Sequence, residues 1–482
     1  MKKERKKRVV DVNIHDFSSR GNGIGMYDHP QGMKWTLEVP FTLPGDFVRA
    51  DILKKRKGAY QCVLEEILVP SPKRIKPKCI HFGICGGCRL QQISYADQLE
   101  YKEAFVKRCF ENLITPEVIF HPISPSLDPW EYRNKMEFSF SSNRAGDKFL
   151  GLMMDSGRGK VLNLKECHLV HSWFIDALST TRQWWETSAL AAYHPSKNTG
   201  ALRTLIVREG VRTGQRLVML TVSGNVDYAV SKHQLADFVS ALRETIEPKD
   251  DTGSLSIFLR IQQIAKGRPT EFYEMPLYGP ESIQEVLYIK KDQDTETEAL
   301  TFTISPSAFF QPNTLQAERL YSRVIELGMI PKDAVVYDLY CGTGTLGISL
   351  AKHVKEVIGV ELSAESAVDA NTNLRLNSIS NMRIIMGDVG DVLKKIHLDQ
   401  EIPPPDVVLV DPPRTGLDGN AVQLLLRLNP AKIIYVSCNP VTQASNTVEL
   451  VNGGYELQCL QPVDQFPQTM HVENIAIFMR KG

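Results

Sequence analysis

The order of apolar runs predicts an α/β protein with a doubly wound, Rossmann-like C-terminal domain over residues 291–482. An α+β central domain over 71–290 and a small N-terminal β-barrel over 1–70 precede it. Three observations carry that division. Residues 8–69 are short strand-like runs separated by Gly, Pro and Asn breaks such as "SSRGNGIG" and "LPGD". From about 125 to 290, longer strand-like stretches mix with a helical one. From about 291 onward, short apolar strands alternate with helices, which is the pattern of a parallel sheet.

In the first part Val9–Ile14, Trp35–Thr42, Asp46–Ile52 and Tyr60–Leu68 read as strands, and their spacing suits an OB-like barrel. The run "SYADQLEYKEAFVKRCFENLI" reads as a helix over 95–113, with Ser94 as N-cap and Asp97 three residues later. Leu99, Val106, Cys109, Phe110 and Leu113 share one face, and the helix is expected to pack on the C-terminal domain. The stretches "KMEFSFSS", "ALRTLIVRE", "RLVMLTVSG" and "SLSIFLRIQQ" give the central domain its strands, with a helix near 173–189. No internal repeat or low-complexity tract interrupts the chain.

The composition, 43% apolar and 23% charged, is that of folded globular protein. No run approaches the roughly 18 apolar residues of a membrane span, and no signal peptide precedes the first strand, so a cytoplasmic protein is expected. Nine cysteines in such a chain point to reduced thiols, with the clustered ones used for metal or catalysis. The net charge of zero hides an asymmetry. Residues 1–90 hold 18 Lys and Arg against 9 Asp and Glu, which leaves 38 against 47 in the remainder. Basic clusters at Lys2–Arg8, Lys54–Lys57 and Lys73–Lys78 suit a polyanion, of which nucleic acid is the commonest, although a solvated basic face gives the same count. Arg133 and Lys135 in "YRNKMEF" are weaker candidates for the same partner.

"VVYDLYCGTGTLGISLAKHVKEVIGVEL" reads as strand, Gly-rich turn, helix and strand. Gly342, Gly344 and Gly347 satisfy G-x-G-x-x-G, so a nicotinamide dehydrogenase has to be considered. Asp338 argues otherwise: a carboxylate just before the turn repels a pyrophosphate and suits an ammonium. S-adenosylmethionine fits, with Glu361 at the second strand's tip reading the ribose hydroxyls and Asp388 after "RIIMG" near the adenine edge. The alternative for Glu361 is a plain helix cap.

The fourth strand delivers Asp411-Pro412-Pro413-Arg414 to the same edge, and the fifth ends in "SCNP", with Cys438 at its tip. A thiol there is either core or nucleophile, and the polar turn of Ser437, Asn439 and Pro440 favours exposure. A thiolate and a base together suit one difficult reaction. Carbon 5 of uracil becomes nucleophilic only after a thiolate adds to carbon 6, and a base must then remove the carbon-5 proton. "QFPQTMHVENIAIF" offers His471 and Glu473, of which Glu473 is preferred because a carboxylate of ordinary pKa is already ionised at neutral pH. No group that would activate Cys438 is legible in the sequence.

With "FFQPN", "DLYCGTGTLG", "DPPRTG", "SCNP" and "HVENIAIF" in place, nearly the whole chain resembles the RNA uracil-5-methyltransferases that make 5-methyluridine, above all their 23S ribosomal RNA branch. The resemblance implies a TRAM-type barrel, Cys438 as nucleophile and Glu473 as general base. It also implies Gln311, Tyr340, Glu361, Asp388 and Asp411 as S-adenosylmethionine contacts. Thr345 stands where many members have Asn, so one cofactor-side hydrogen bond departs from the pattern. Cys79, Cys85 and Cys88 resemble the family's iron-sulfur motif. Cys62 and Cys109 read as core, and Cys341, Cys438 and Cys459 belong to the C-terminal half, which leaves Cys167 in "LKECHLVH" as fourth ligand. The resemblance implies a 4Fe-4S cluster; four thiolates at this spacing also suit zinc. The expected protein is a monomer acting on RNA. The same reaction on transfer RNA, and a non-catalytic RNA-binding protein, are the competing readings.

Overall fold

The computed structural model describes residues 7–155, 159–249, 253–264, 267–290, 297–396 and 402–482. Most of the basic run at Lys2–Arg8 therefore lies outside the described residues. Five strands close the N-terminal barrel: β1 (Val9–Phe17), β2 (Gly23–Asp28), β3 (Lys34–Val39), β4 (Phe47–Arg56) and β5 (Ala59–Val69), in the order β1-β2-β3-β5-β4. Strand β2 occupies the Gly-rich stretch that reads as a break. The reason is close approach: a Cβ on Gly25 would stand 2.5 Å from Val12 Cγ2, so glycine here brings two strands together.

Helix α1 (Tyr95–Cys109) follows, capped by Ser94, whose hydroxyl accepts from the Asp97 N–H. Val106, together with Phe110 at its C-terminal end, packs into the C-terminal core, as the sequence suggests. The buried line of the helix is nevertheless Gln98, Lys102 and Val106, one turn apart each, and not the apolar row. Polar groups can take that line because their partners wait in the C-terminal domain. Strand β6 (Ile119–Phe120) then joins the edge of the C-terminal sheet, parallel to its penultimate strand in sequence.

The central sheet comprises β7 (Lys135–Ser142), β8 (Lys148–Gly151), β9 (Leu202–Glu209), β10 (Arg216–Ser223), β11 (Leu255–Gln263) and β12 (Glu271–Tyr278), ordered β12-β11-β10-β9-β7-β8. Helices α2 (Ser172–Thr187) and α3 (Lys232–Ile246) cover one face through Phe174, Trp185, Phe238 and Leu242. The other face sends Ile206, Met219 and Phe258 into the C-terminal core.

The hairpin β13 (Ile283–Lys290) and β14 (Thr297–Ile304) straddles position 291 and packs its apolar side into that same core. Beyond it come α4 (Thr314–Gly328), β15 (Val335–Leu339), α5 (Thr345–Ala351), β16 (Glu356–Glu361), α6 (Ala364–Leu376), β17 (Met382–Met386), α7 (Val389–Ile396) and β18 (Val407–Val410). The chain ends with α8 (Gly419–Leu428), β19 (Lys432–Ser437), α9 (Pro440–Asn452), β20 (Tyr455–Val463) and β21 (Glu473–Arg480). The sheet order is β17-β16-β15-β18-β19-β21-β20-β6. Strand β21 slots antiparallel between β19 and β20, which departs from the 3-2-1-4-5-6 order of a dinucleotide-binding fold. Among the described residues no helix is long and apolar enough to cross a membrane.

Trp185 anchors the central domain: it is fully buried, meets Phe140 edge-on at 5.0 Å, and donates its indole N–H to the Leu190 carbonyl at 2.9 Å. Trp185→Ala is expected to destabilise by about 3–5 kcal/mol, seen as a lowered midpoint in thermal unfolding.

Candidate active site

Strands β15, β18 and β19 end side by side at the carboxyl edge, where doubly wound sheets bind ligands. After β15 the chain turns through Tyr340, a non-glycine residue in the left-handed region at φ 66°. Such conformations are costly and gather at functional turns. The turn continues through Gly342 and Gly344 into α5. A Cβ on Gly347 would stand 2.6 Å from Asp338 Oδ2, so glycine is what lets this helix sit against the strand end. Glu361, at the tip of β16, accepts from the Gly342 N–H at 2.9 Å and the Ser363 N–H at 2.7 Å. It fastens the turn, a role the sequence does not suggest.

One cleft of about 470 Å³, inside the size range of ligand sites, is lined by Gln311, Tyr340, Thr345, Asp411, Cys438 and Glu473. These come from five separate segments of the expected set. Glu361 and Asp388 lie next along the edge but outside this lining; Asp388 Oδ1 accepts from the Asp391 N–H at 3.2 Å and starts α7. The cleft also takes Arg133, Phe309, Tyr321, Arg414 and Phe466. Phe309 has a sequence signal in its place two residues before Gln311 in the "FFQPN" run, and the fold leaves it exposed. Tyr321 and Phe466 carry no local signal. Tyr321 shares a 3.2 Å hydrogen bond with the Thr345 hydroxyl, so the threonine is engaged by α4.

The loops around the cleft are tied together. Asn439 Nδ2 donates to the Arg414 carbonyl at 2.9 Å, and Arg414 Nη2 meets His471 Nε2 at 3.2 Å. Asn439 is also the N-cap of α9, with Pro440 behind it, so Cys438 stands just before a helix N-terminus. That end carries positive dipole, which favours a thiolate.

Negative charge is crowded here. Burial, then Asp411 and Glu361, push the Asp338 carboxyl up to about 8. Burial alone raises Asp411 to about 7. Burial and Asp411 raise Glu473 to about 8, against the opposing pull of Arg414. Cys438 rises to about 11 through burial, Glu473 and Asp411, and Arg414 is the one side-chain cation pulling it down. His471 falls to about 4 through burial and the cations Arg414, Lys102 and Arg133, so it is neutral. The sequence argument for Glu473 therefore needs correcting. Burial keeps this carboxyl largely protonated in the free cleft at neutral pH, and its claim over His471 is that it lines the cleft while His471 does not. No hydrogen bond of ordinary geometry reaches the buried Asp338 Oδ2, and the Gly347 backbone N–H beside the carboxyl is what pulls against its rise.

Cys79, Cys85, Cys88 and Cys167 meet around a second, smaller pocket with Leu152 and Leu164. The strap that holds the first three is laced to the central domain: Gly86 N–H donates to the Met153 carbonyl at 3.0 Å and Asp155 N–H to Ile84 at 3.0 Å. Burial lifts Cys88 to about 12, with Cys167, Cys85 and Cys79 adding to it, and Cys167 to about 11. All four thiols are free of disulfides. Among the described residues no group of three or more His, Cys, Asp or Glu is gathered around the position of a single metal ion.

Comparison with known proteins matches residues 279–481 to the family model described as tRNA (uracil-5-)-methyltransferase. An uncharacterized RNA methyltransferase of Protochlamydia amoebophila is 54% identical over 92% of this chain and 99% of its own. One from Clostridium acetobutylicum is 32% identical over the full length of both. The crystal structure of Pyrococcus abyssi tRNA (uracil-54, C5)-methyltransferase with S-adenosyl-L-homocysteine superposes with a TM-score of 0.69 at 24% identity, covering 98% of this chain and 100% of that one. That likeness bears on the fold. On its relatives and its family match, the chain belongs to the RNA uracil-5-methyltransferase family.

Proposed function

We propose that this protein methylates carbon 5 of a uridine in 23S ribosomal RNA, with S-adenosylmethionine as methyl donor, through a covalent adduct between Cys438 and the base. The observation that carries the reading is the convergence of Cys438, Glu473, Asp411 and Arg414 on the cleft beside the Gly-rich turn. Bound there, S-adenosylmethionine supplies a methyl group on a sulfonium. Asp338 and Glu361 would hold its ammonium and ribose ends, and Gln311, Tyr340, Thr345, Asp388 and Asp411 the remainder.

Cys438 Sγ, its proton given up to solvent, bonds to carbon 6, and the carbon 5–carbon 6 double bond becomes an enolate. Arg414 and the N-terminus of α9 favour the thiolate for that attack. Carbon 5 would take the methyl group as the bond between that methyl and the sulfonium sulfur breaks, which leaves S-adenosylhomocysteine. The Glu473 carboxylate then accepts the carbon-5 proton, the double bond reforms, and the Sγ–carbon 6 bond breaks to return the thiolate. Glu473 must be ionised by this stage, and a neighbouring cation in the cleft favours that form over the protonated one.

The ribosomal substrate is supported by the barrel and by the cysteine motif, which resemble the 23S branch. Transfer RNA is the second reading, favoured by the description of the matching family model. Mapping 5-methyluridine in both RNA pools of a deletion strain separates them: loss from transfer RNA alone would refute the ribosomal assignment.

For the four cysteines we propose a 4Fe-4S cluster. Four partly buried thiols, whose thiolates burial disfavours and only Arg89 and Arg133 assist, suit a metal centre that deprotonates them. They line one pocket, and the resemblance of the cysteine motif to the 23S branch is what favours iron-sulfur over zinc. Anaerobically purified protein is expected to hold about four iron and four sulfide per chain, and Cys167→Ser to lose them. Stoichiometric zinc without sulfide counts against this.

The two catalytic groups should fail at different stages. Cys438→Ala is expected to bind RNA and cofactor and form no adduct. Glu473→Gln is expected to add the thiol, transfer the methyl group and stall as a methylated adduct that survives denaturing electrophoresis. RNA bearing 5-fluorouridine has no removable proton at carbon 5 and should trap the wild-type enzyme in the same way. Trapping of Cys438→Ala at the wild-type level would assign the nucleophile elsewhere.

The buried carboxyls also set a pH dependence. In the free cleft Asp338 and Asp411 keep their protons up to about 8 and about 7. A cationic ligand favours their ionised forms, so binding expels protons below those values. S-adenosylmethionine affinity is expected to rise from about pH 6 to about pH 8 and then level off. Calorimetry in two buffers of different ionisation enthalpy reads the released protons directly, and none released at neutral pH would contradict the account.

A further inference from the structure

Between β20 and β21, residues 464–472 form a loop that puts Phe466 on the cleft wall and leads straight into Glu473. Much of what holds it comes from the other end of the chain. Tyr132 donates to the Pro467 carbonyl at 3.0 Å, and the N–H groups of Arg89 and Leu90 both donate to the Gln468 carbonyl, at 2.9 and 3.1 Å. Gln98 exchanges two hydrogen bonds with Gln468, donating to its Oε1 at 3.0 Å and accepting its N–H at 2.9 Å. Gln468 is itself in the left-handed region at φ 67°, a conformation that persists where the surroundings enforce it.

The deepest tie is ionic. Lys102 Nζ donates to Asp464 Oδ1 at 2.5 Å and to the Phe466 carbonyl at 2.9 Å, and both charged side chains are fully excluded from solvent. Tyr95 donates to the other oxygen, Asp464 Oδ2, at 2.9 Å. Such a pair is a poor stability device, because desolvating two charges offsets their attraction and an apolar pair of similar volume does as well or better. What it adds is direction: an ammonium fixes a carboxylate and a carbonyl at two defined points, which methyl groups do not.

We infer that Lys102, with Asp464 as its counterion, is a positioning residue for the general base: it holds loop 464–472 so that Glu473 meets the carbon-5 proton. The inference rests on the covalent reading above. It bears chiefly on one step, because Glu473 follows the loop directly, whereas Cys438, Asp411 and the Gly-rich turn stand on other segments and the loop reaches those only through His471 with Arg414 and Gln465 with Gln311. Loosening loop 464–472 displaces the base and leaves the nucleophile in place.

The test uses the full-length protein and RNA with natural uridine. Lys102→Met/Asp464→Leu removes both charges and fills their space. It is expected to melt near the wild-type temperature, bind S-adenosylmethionine with unchanged affinity, and form the adduct at a rate within about twofold of wild type, while release of product slows about tenfold or more. The methylated adduct should then accumulate on denaturing gels, which a general loss of structure would not produce. Release at the wild-type rate, or adduct formation slowed as much as release, overturns the inference. If the double variant does not fold, Tyr95→Phe removes one hydrogen bond from Asp464 and keeps the pair; it is expected to accumulate the adduct about two- to fivefold over wild type, and release as fast as wild type overturns the inference equally. Wild-type enzyme that forms no adduct even with 5-fluorouridine RNA refutes the covalent reading itself.

Discussion

Buried negative charge is the constraint around which this molecule is arranged. Asp338, Asp411, Glu473 and the Cys438 thiol share one edge of the sheet, with Arg414 as the nearest opposing cation. Water would stabilise four such groups without help, but the three carboxyls are themselves buried, so they are pushed toward their neutral forms. An ordinary enzyme core would answer with more arginines. Here the positive charge that would ionise these carboxyls is not supplied by nearby side chains other than Arg414. Selectivity for a cationic cofactor follows from that imbalance, because the uncharged protein gains most from a ligand that ionises its carboxyls.

The same constraint reaches beyond the C-terminal domain. The cleft's last wall is loop 464–472, whose anchors come from residues 89–132, so the N-terminal segments complete a site that they contribute little lining to. Met470 extends the arrangement to the barrel, packing with Phe17, Leu43, Leu90 and Ile93. Arg133 lines both the reaction cleft and the pocket of four cysteines. Barrel, cysteine strap, α1 and central domain therefore meet around the loop that leads into Glu473, and the architecture joins the N-terminal segments to the cleft by contact.

Single positions show how differently the sequence spoke. Asp338, Gly342, Gly344 and Gly347 announced a ligand turn because one strand, one turn and one helix are contiguous in the chain. Cys438 was legible for a similar reason: it ends a short apolar run and is followed by a polar turn. Glu473 lines the cleft, but an ordinary carboxylate pKa is no ground for choosing it, since a free-solution value says nothing about a residue that ends up buried beside Asp411. Strand β2 was hidden because glycines that mark loops also permit the close packing of barrel strands.

What the sequence by itself determined was everything carried by local pattern: the alternation of strands and helices in the C-terminal half, the Ser94 cap of α1, the turn glycines, the cysteine spacing, and the basic bias of residues 1–90. The tertiary structure alone decided which of these meet. Lys102 on an apolar-looking helix reads as solvent-facing until Asp464, 362 residues away in sequence, supplies the charge that lets it be buried. Tyr321 and Phe466 enter the cleft, and the carboxyls acquire their shifted pKa values, for the same reason. Burial and charge pairing depend on distances between segments far apart in the chain, and no periodicity within a segment encodes them.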